Sequence, residues 1–258
     1  MNEEKAVKKF LSDIQCLDPL TEWSKKFNLF DMMKISTMEI RHSNVLAWLF
    51  DPNGNHGLGD CVLRQLIQKM TEPTGAKYGE IMDISQMDLG SFAVLREYEH
   101  IDILAISAKE QFLLCFENKI FSKEHDDQLN RYHSLLNNEY HDYKKIFIYL
   151  TPDGDLPEKE ETQETWRTLN YQEIIEIIMG SLEKQTLAPD VRMVIDHYVE
   201  AVRRKIMADT ELEKLCKAIY TKHKAALDLI FEYRSNGAKR AADEIKQWCK
   251  EKSEEKKI

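Results

Sequence analysis

No two of the five cysteines (Cys16, Cys61, Cys115, Cys216 and Cys249) form a Cys-x-x-Cys pair. That spacing excludes a disulfide framework and the common structural zinc sites, and the cysteines read as reduced thiols. A long apolar run is missing too. No stretch approaches the ~18 residues of a membrane span, and the opening segment MNEEKAVKKFLSDI is charged and amphipathic where a signal peptide needs an apolar stretch. The expectation is a soluble cytoplasmic protein with no membrane partner.

Positive charge is also scarce. Against 45 Asp and Glu stand 36 Lys and Arg, a net charge of −9, which excludes a surface that grips phosphate everywhere. The deficit is uneven: residues 203–258 carry 15 basic and 10 acidic side chains, which leaves −14 for the first 202. Any contact with nucleic acid is therefore local, and the C-terminal part is one place for it. NGNHGLGD follows a helix and lacks Gly-Lys-Ser/Thr, so it reads as a turn and is neither a phosphate loop nor a dinucleotide fingerprint. The sequence shows no nucleophilic Ser-His-Asp or Cys-His arrangement, no internal repeat and no low-complexity linker.

What is present is ample core material, 43% hydrophobic. One or two short helices precede Asn28, and a helix from about Thr37 to Phe50 stops at Asp51-Pro52-Asn53-Gly54. DCVLRQLIQKM forms a second helix. FAVLREYEH, IDILAIS and FLLCFENKI read as strands, with a turn at Lys109-Glu110. A helix from about Lys123 to Asn137 follows, then the strand KKIFIYLT and a surface loop, EKEETQET. Helices NYQEIIEIIMGSLEK, PDVRMVIDHYVEAVRRKIM and ELEKLCKAIYTKHKAALDLIFEYR complete the pattern, the last ending at Asn236-Gly237 before a fraying tail. This order predicts a mixed α/β core in residues 1–205 and a helical C-terminal extension in 206–258. The apolar stripe of residues 211–233 suits either packing on the core or a homodimer or partner contact with its lysines facing nucleic acid.

FLLCFENKI poses a chemical problem, because an apolar strand ends in Glu-Asn-Lys. Period-2 alternation puts Leu113, Cys115, Glu117 and Lys119 on one face, and the hairpin returns Asp102 beside Glu117. Two carboxylates and an ammonium group at one sheet end suit a hard divalent cation at a phosphate, but also an ordinary cross-strand ion pair. Gln128 and Tyr132, at i and i+4, share a face of the next helix. Glu39 falls three residues after Ser36, as in a capping box, yet also faces inward with Leu46 and Phe50. His42 and His56 suit either phosphate contact or structural hydrogen bonding, while His125 and His133 lack metal-ligand spacing.

Together, Glu39, Asp102 in IDIL, Glu117 and Lys119 in ENK, and Gln128 with Tyr132 in QLNRY resemble the PD-(D/E)XK nuclease superfamily, and more narrowly its exonuclease-like branch with a Gln-x-x-x-Tyr helix. RHSNVLAWLFDPNGNHGLGD and IYLTPDG are similar to a bacterial subfamily of that fold, and the likeness covers roughly residues 30–205. The resemblance implies a restriction-endonuclease-like α/β fold and Mg²⁺-dependent phosphodiester hydrolysis, with Mn²⁺ as a substitute and DNA as the favoured substrate. It implies a 3′-hydroxyl and a 5′-phosphate as products, and a defence role against foreign DNA. Asp102 and Glu117 become metal ligands, Glu39 an additional one, and Asn118 is counted at the same centre. Lys119 positions or activates the attacking water. Gln128, Tyr132 and His42 position substrate. Ile101 stands where the family name has proline, and Asn118 points a polar side chain to the opposite sheet face, where a polar partner is expected. The rival reading is an inactive nuclease-fold interaction protein.

Overall fold

The computed structural model describes residues 3–71, 86–122, 127–207 and 212–233. In chain order the helices are α1 (Glu3–Ser12), α2 (Asp18–Lys25), α3 (Leu29–Met32), α4 (Glu39–Phe50), α5 (Cys61–Thr71), α6 (Gln128–Glu139), α7 (Glu160–Gln163), α8 (Tyr171–Leu182), α9 (Pro189–Lys205) and α10 (212–233). The strands are β1 (Ala93–Tyr98), β2 (Ile101–Ser107), β3 (Phe112–Asn118), β4 (Lys144–Thr151) and β5 (Trp166–Asn170). Among the described residues no helix is long and apolar enough to cross a membrane.

The five strands form one sheet in the order β1-β2-β3-β4-β5. The first three pair antiparallel, as tight turns permit, while β4 and β5 add in parallel after helical crossovers. Central β3 is buried along its whole length, which explains its unbroken apolar run. Its alternate side chains enter two cores. Phe112, Leu114 and Phe116 join Leu46, Leu49 and Phe50 of α4, Leu63 of α5 and Ile178 of α8. Leu113 and Cys115 meet Leu129, Tyr132 and Leu136 of α6 on the other face. The predicted α/β class therefore holds, with helices on both faces.

β5 adds a strand to those expected from the sequence: WRTLN follows the expected loop EKEETQET and shares only Asn170 with the expected helix NYQEIIEIIMGSLEK. Its ladder with β4, Phe147 opposite Trp166 and Leu150 opposite Leu169, makes it a strand through tertiary pairing that its polar composition does not announce. The following helix starts with a capping box in which Asn170 and Glu173 exchange hydrogen bonds. Residues 123–126, with the expected start of α6 and His125, lie outside the described residues, as do Asn236-Gly237 and the tail.

The chain divides into two compact units, Phe27–Ala208 and Met1–Lys26 with Asp209–Ile258. The first 26 residues thus group with the C-terminal segment, a different division from 1–205 and 206–258. In this smaller unit Phe10 packs on His223 with ring centroids 5.1 Å apart, and Asp13 accepts from His223 Nε2 at 2.8 Å and from Lys222 Nζ at 2.6 Å.

Candidate active site

The antiparallel register fixes the centre. Ile103 lies opposite Phe116 and Leu104 opposite Cys115, and one further step puts Asp102 across from Glu117. Directly opposed residues on antiparallel strands point to the same face. Asp102 Oδ2 accepts from the Asn118 main-chain N–H at 2.8 Å, a bond that holds the two strand ends together. Lys119 Nζ lies 2.7 Å from Glu117 Oε1, and the two side chains are 12% and 1% exposed. The Lys119 main-chain N–H is tied to Leu150 O of β4 at 2.9 Å.

An ion pair accounts for only part of this arrangement. Glu117 Oε2 is buried with no hydrogen-bond partner. A desolvated carboxylate oxygen in that position is costly unless a cation or proton completes it. Burial, with Asp102 as the next cause, pushes the Glu117 carboxyl up to about 8. Burial also raises Asp102, against the Asn118 N–H and Lys119. For Lys119 burial acts downward, but Glu117, Asp102 and Glu39 outweigh it and hold the ammonium above its ordinary value. Both partners thus shift upward: burial and Asp102 outweigh Lys119 at the carboxyl, while the surrounding carboxylates outweigh burial at the ammonium. Neighbouring Cys115 is fully buried, and desolvation with Glu117 and Asp102 keeps its thiol protonated, so it supplies neither thiolate ligand nor nucleophile.

Glu39 opens α4, but not in the expected capping box, because Ser36 Oγ donates to Asp31 instead. Glu39 Oε1 accepts from three successive main-chain N–H groups, Ile120 at 2.8 Å, Phe121 at 2.6 Å and Ser122 at 2.9 Å, and Ser122 Oγ donates to both carboxylate oxygens. Burial would raise its carboxyl, yet these donors hold it below the ordinary range. Glu39 therefore clamps the turn that follows Lys119. The carboxylates of Glu39, Asp102 and Glu117 do not close into one tight triad. Among the described residues the close trio of ligand atoms is Asp13, Cys16 and His223, where Lys222 already neutralises Asp13. Replacing Glu39 by Ala is expected to cost on the order of 2 kcal/mol and to speed amide exchange at residues 120–122. Unchanged exchange there would show that another group holds the turn.

Tyr132 is buried on α6, where its hydroxyl accepts from Gln128 Nε2 at 2.7 Å and donates to His100 O. His100 directly precedes β2, so the Gln-x-x-x-Tyr pair anchors the strand start that carries Asp102. Tyr132→Phe should cost about 1 kcal/mol and lower turnover by roughly tenfold or less, as a positioning effect. Extinction of activity with normal substrate binding would instead put the hydroxyl in the chemistry.

Two expectations need correction. His42 is 1% exposed, with Nε2 3.0 Å from Ser36 O and its ring packed near Tyr171 and Tyr198. Burial lowers its basicity, and it is a core residue out of a phosphate's reach. The Asn118 side chain serves the opposite face, donating to Ser43 Oγ at 3.0 Å and accepting from the Tyr171 hydroxyl at 2.9 Å. This is the polar partner expected there, and it leaves only main-chain atoms of Asn118 for the centre. His56 is likewise occupied, accepting from Leu58 N–H through Nδ1 and bonding Asp51 O through Nε2. A Cβ on Gly54 would come within 2.8 Å of that ring, so glycine is required for this turn. His133 rests against Phe147 and Asn137.

Arg96 and Glu97 were not foreseen. Glu97 occupies the register position across from Asp102, between the Arg96–Ile103 and Tyr98–Ile101 pairs, with φ of 55°. Its carboxylate meets Arg96 Nη2 at 3.0 Å, and Arg96 Nε reaches Asn44 of α4 at 3.2 Å. Glu97 and Arg96 act on the Asp102 carboxyl in opposite directions, beneath the larger effect of burial. A glutamate in a strand pattern gives no sign of a left-handed backbone.

No curated protein and no solved structure matches the chain. The family model for the PD-(D/E)XK nuclease superfamily, however, matches residues 27–222. The match takes in all five described strands and the Asp, Glu-x-Lys and Gln-x-x-x-Tyr positions described above, and the restriction-endonuclease-like sheet agrees with it. On that evidence the chain belongs to the PD-(D/E)XK nuclease superfamily, whose members are generally nuclease hydrolases.

Proposed function

We propose that the protein is a Mg²⁺-dependent nuclease that hydrolyses phosphodiester bonds, with DNA as its first substrate. The observation that carries this reading is the buried, unpartnered Oε2 of Glu117 beside Asp102, with Lys119 on the other oxygen. Asp102, Glu117 and the main chain at Asn118 offer hard oxygen donors, the chemistry that suits Mg²⁺ or Mn²⁺. A divalent cation held there would neutralise both carboxylates, polarise a phosphoryl oxygen and make water a better nucleophile.

The chain's own groups do the rest. Lys119, kept protonated by its carboxylate neighbours, directs an N–H toward charge that grows on the phosphate. The Asp102 bond to Asn118 N–H and the Tyr132 bond to His100 O hold the two strand ends in fixed relation. The family resemblance supports a 3′-hydroxyl and a 5′-phosphate as the product ends. The resemblance supports a role in defence against foreign DNA, and the cysteine usage supports a cytoplasmic location.

Ca²⁺ prefers 6 to 8 oxygens at ~2.3–2.6 Å, whereas Mg²⁺ takes six at ~2.0–2.1 Å. Cleavage of linear, circular and single-stranded DNA and of RNA is therefore expected with Mg²⁺ or Mn²⁺, strongest on DNA, while Ca²⁺ supports binding with little turnover. Binding without cleavage in every metal would favour the interaction-protein reading.

A further inference from the structure

We infer that Phe121 is a stacking platform for a base of the substrate strand beside the scissile phosphodiester, so that strands with unpaired bases there bind best. This rests on the nuclease reading and names the substrate class of the same site.

Phe121 stands two residues beyond Lys119 and is 55% exposed, so its ring is open to a ligand beside the centre. Its backbone is held in place. Three successive N–H groups at residues 120–122 converge on one oxygen of Glu39, so the ring projects from an ordered turn. The turn runs straight on from Lys119, whose Nζ lies 2.7 Å from Glu117 Oε1, which puts it next to the charged centre. The residues flanking Glu39 are apolar and open as well, with Met38 41% and Ile40 45% exposed. An apolar rim beside buried carboxylates suits a ligand with a phosphate and a flat face, which is a nucleotide unit of the strand to be cut.

Charge points the same way. With a net −14 over the first 202 residues, which include the site, phosphate neutralisation is a poor source of affinity there. Stacking needs no cation and tolerates any base, because every base has a π-face. A base inside a duplex already has both faces covered, so an unpaired base gains most.

The test compares wild type, Phe121→Ala and Phe121→Trp on a short DNA oligonucleotide, single-stranded or annealed to its complement, in Mg²⁺. On the single strand, Phe121→Ala is expected to raise KM by about 5- to 100-fold with little change in kcat, and Phe121→Trp to restore it. The effect should be small on the duplex, and the salt dependence of wild-type binding shallow. In Phe121→Trp, adding the single strand should quench fluorescence beyond the change seen in wild type. Cleavage by all three proteins with equal KM and no added quenching would overturn the stacking proposal and leave the nuclease reading standing. Quenching without cleavage in wild type would sink the nuclease reading and keep the base contact. Absence of both would defeat both.

Discussion

Replacing Glu117 by Gln is expected to abolish cleavage and to make the metal-free protein more stable. Glutamine keeps the shape and can still accept from Lys119, but it cannot ionise. The loss in rate should be about a thousandfold or more, since several kcal/mol of transition-state stabilisation depend on the bound cation. The gain in stability follows from burial. In the folded protein the carboxyl is pushed up to about 8, above its ordinary value of 4.5. An acid raised in this way opposes folding, because the unfolded chain ionises where the folded one does not. The penalty is absent below the unfolded pKa, grows as pH rises from about 4.5 to about 8, and is constant above that. At pH 7 it amounts to about 3 kcal/mol, about 2.5 pH units above the unfolded value at ~1.4 kcal/mol each. Thermal unfolding in EDTA should thus show the Gln variant melting higher by several degrees at pH 7.5 and level with wild type near pH 4. Excess Mg²⁺ should raise the midpoint of wild type and leave the variant unmoved. Equal midpoints across that pH range would mean Glu117 is not strained in the empty site.

Lys119→Met should leave Mg²⁺ binding undiminished and lower the single-turnover rate by about 10²- to 10³-fold, the effect of removing one donor aimed at developing charge. The side chain is 12% exposed and lies 2.7 Å from Glu117 Oε1, so its removal also strands a buried carboxylate. Breaking such a pair costs about 3–5 kcal/mol when the remaining charge persists. Here Glu117 is poised to take a proton, and the cost is expected to be smaller at pH 7 than at pH 9. A variant that binds Mg²⁺ more weakly while turning over at the wild-type rate would make Lys119 a structural neighbour of the metal site and nothing more.

The parts of this account that were legible in the sequence are those set by short-range periodicity. Alternation along residues 112–118 put Glu117 on the face of Leu113 and Cys115, and the hairpin returned Asp102 to it. The i, i+4 spacing of Gln128 and Tyr132 gave their shared face, and the hydrogen bond between them agrees. What the sequence hid depends on contacts between distant segments. Glu39 satisfies donors 81 to 83 residues away, which no local capping pattern encodes. His42 looked available because it follows Glu39 by one turn, but the tyrosines of α8 and α9 enclose it. β5 exists through its ladder with β4, and Glu97 reaches its position through a positive φ that its residue type disfavours.

The most direct test of the central claim is cleavage of an end-labelled linear DNA by purified protein in Mg²⁺, with EDTA and Glu117→Gln as paired controls and the product ends identified. The account predicts Mg²⁺-dependent cleavage that leaves 5′-phosphates and disappears in both controls. Cleavage that survives EDTA and the Glu117 substitution would contradict it.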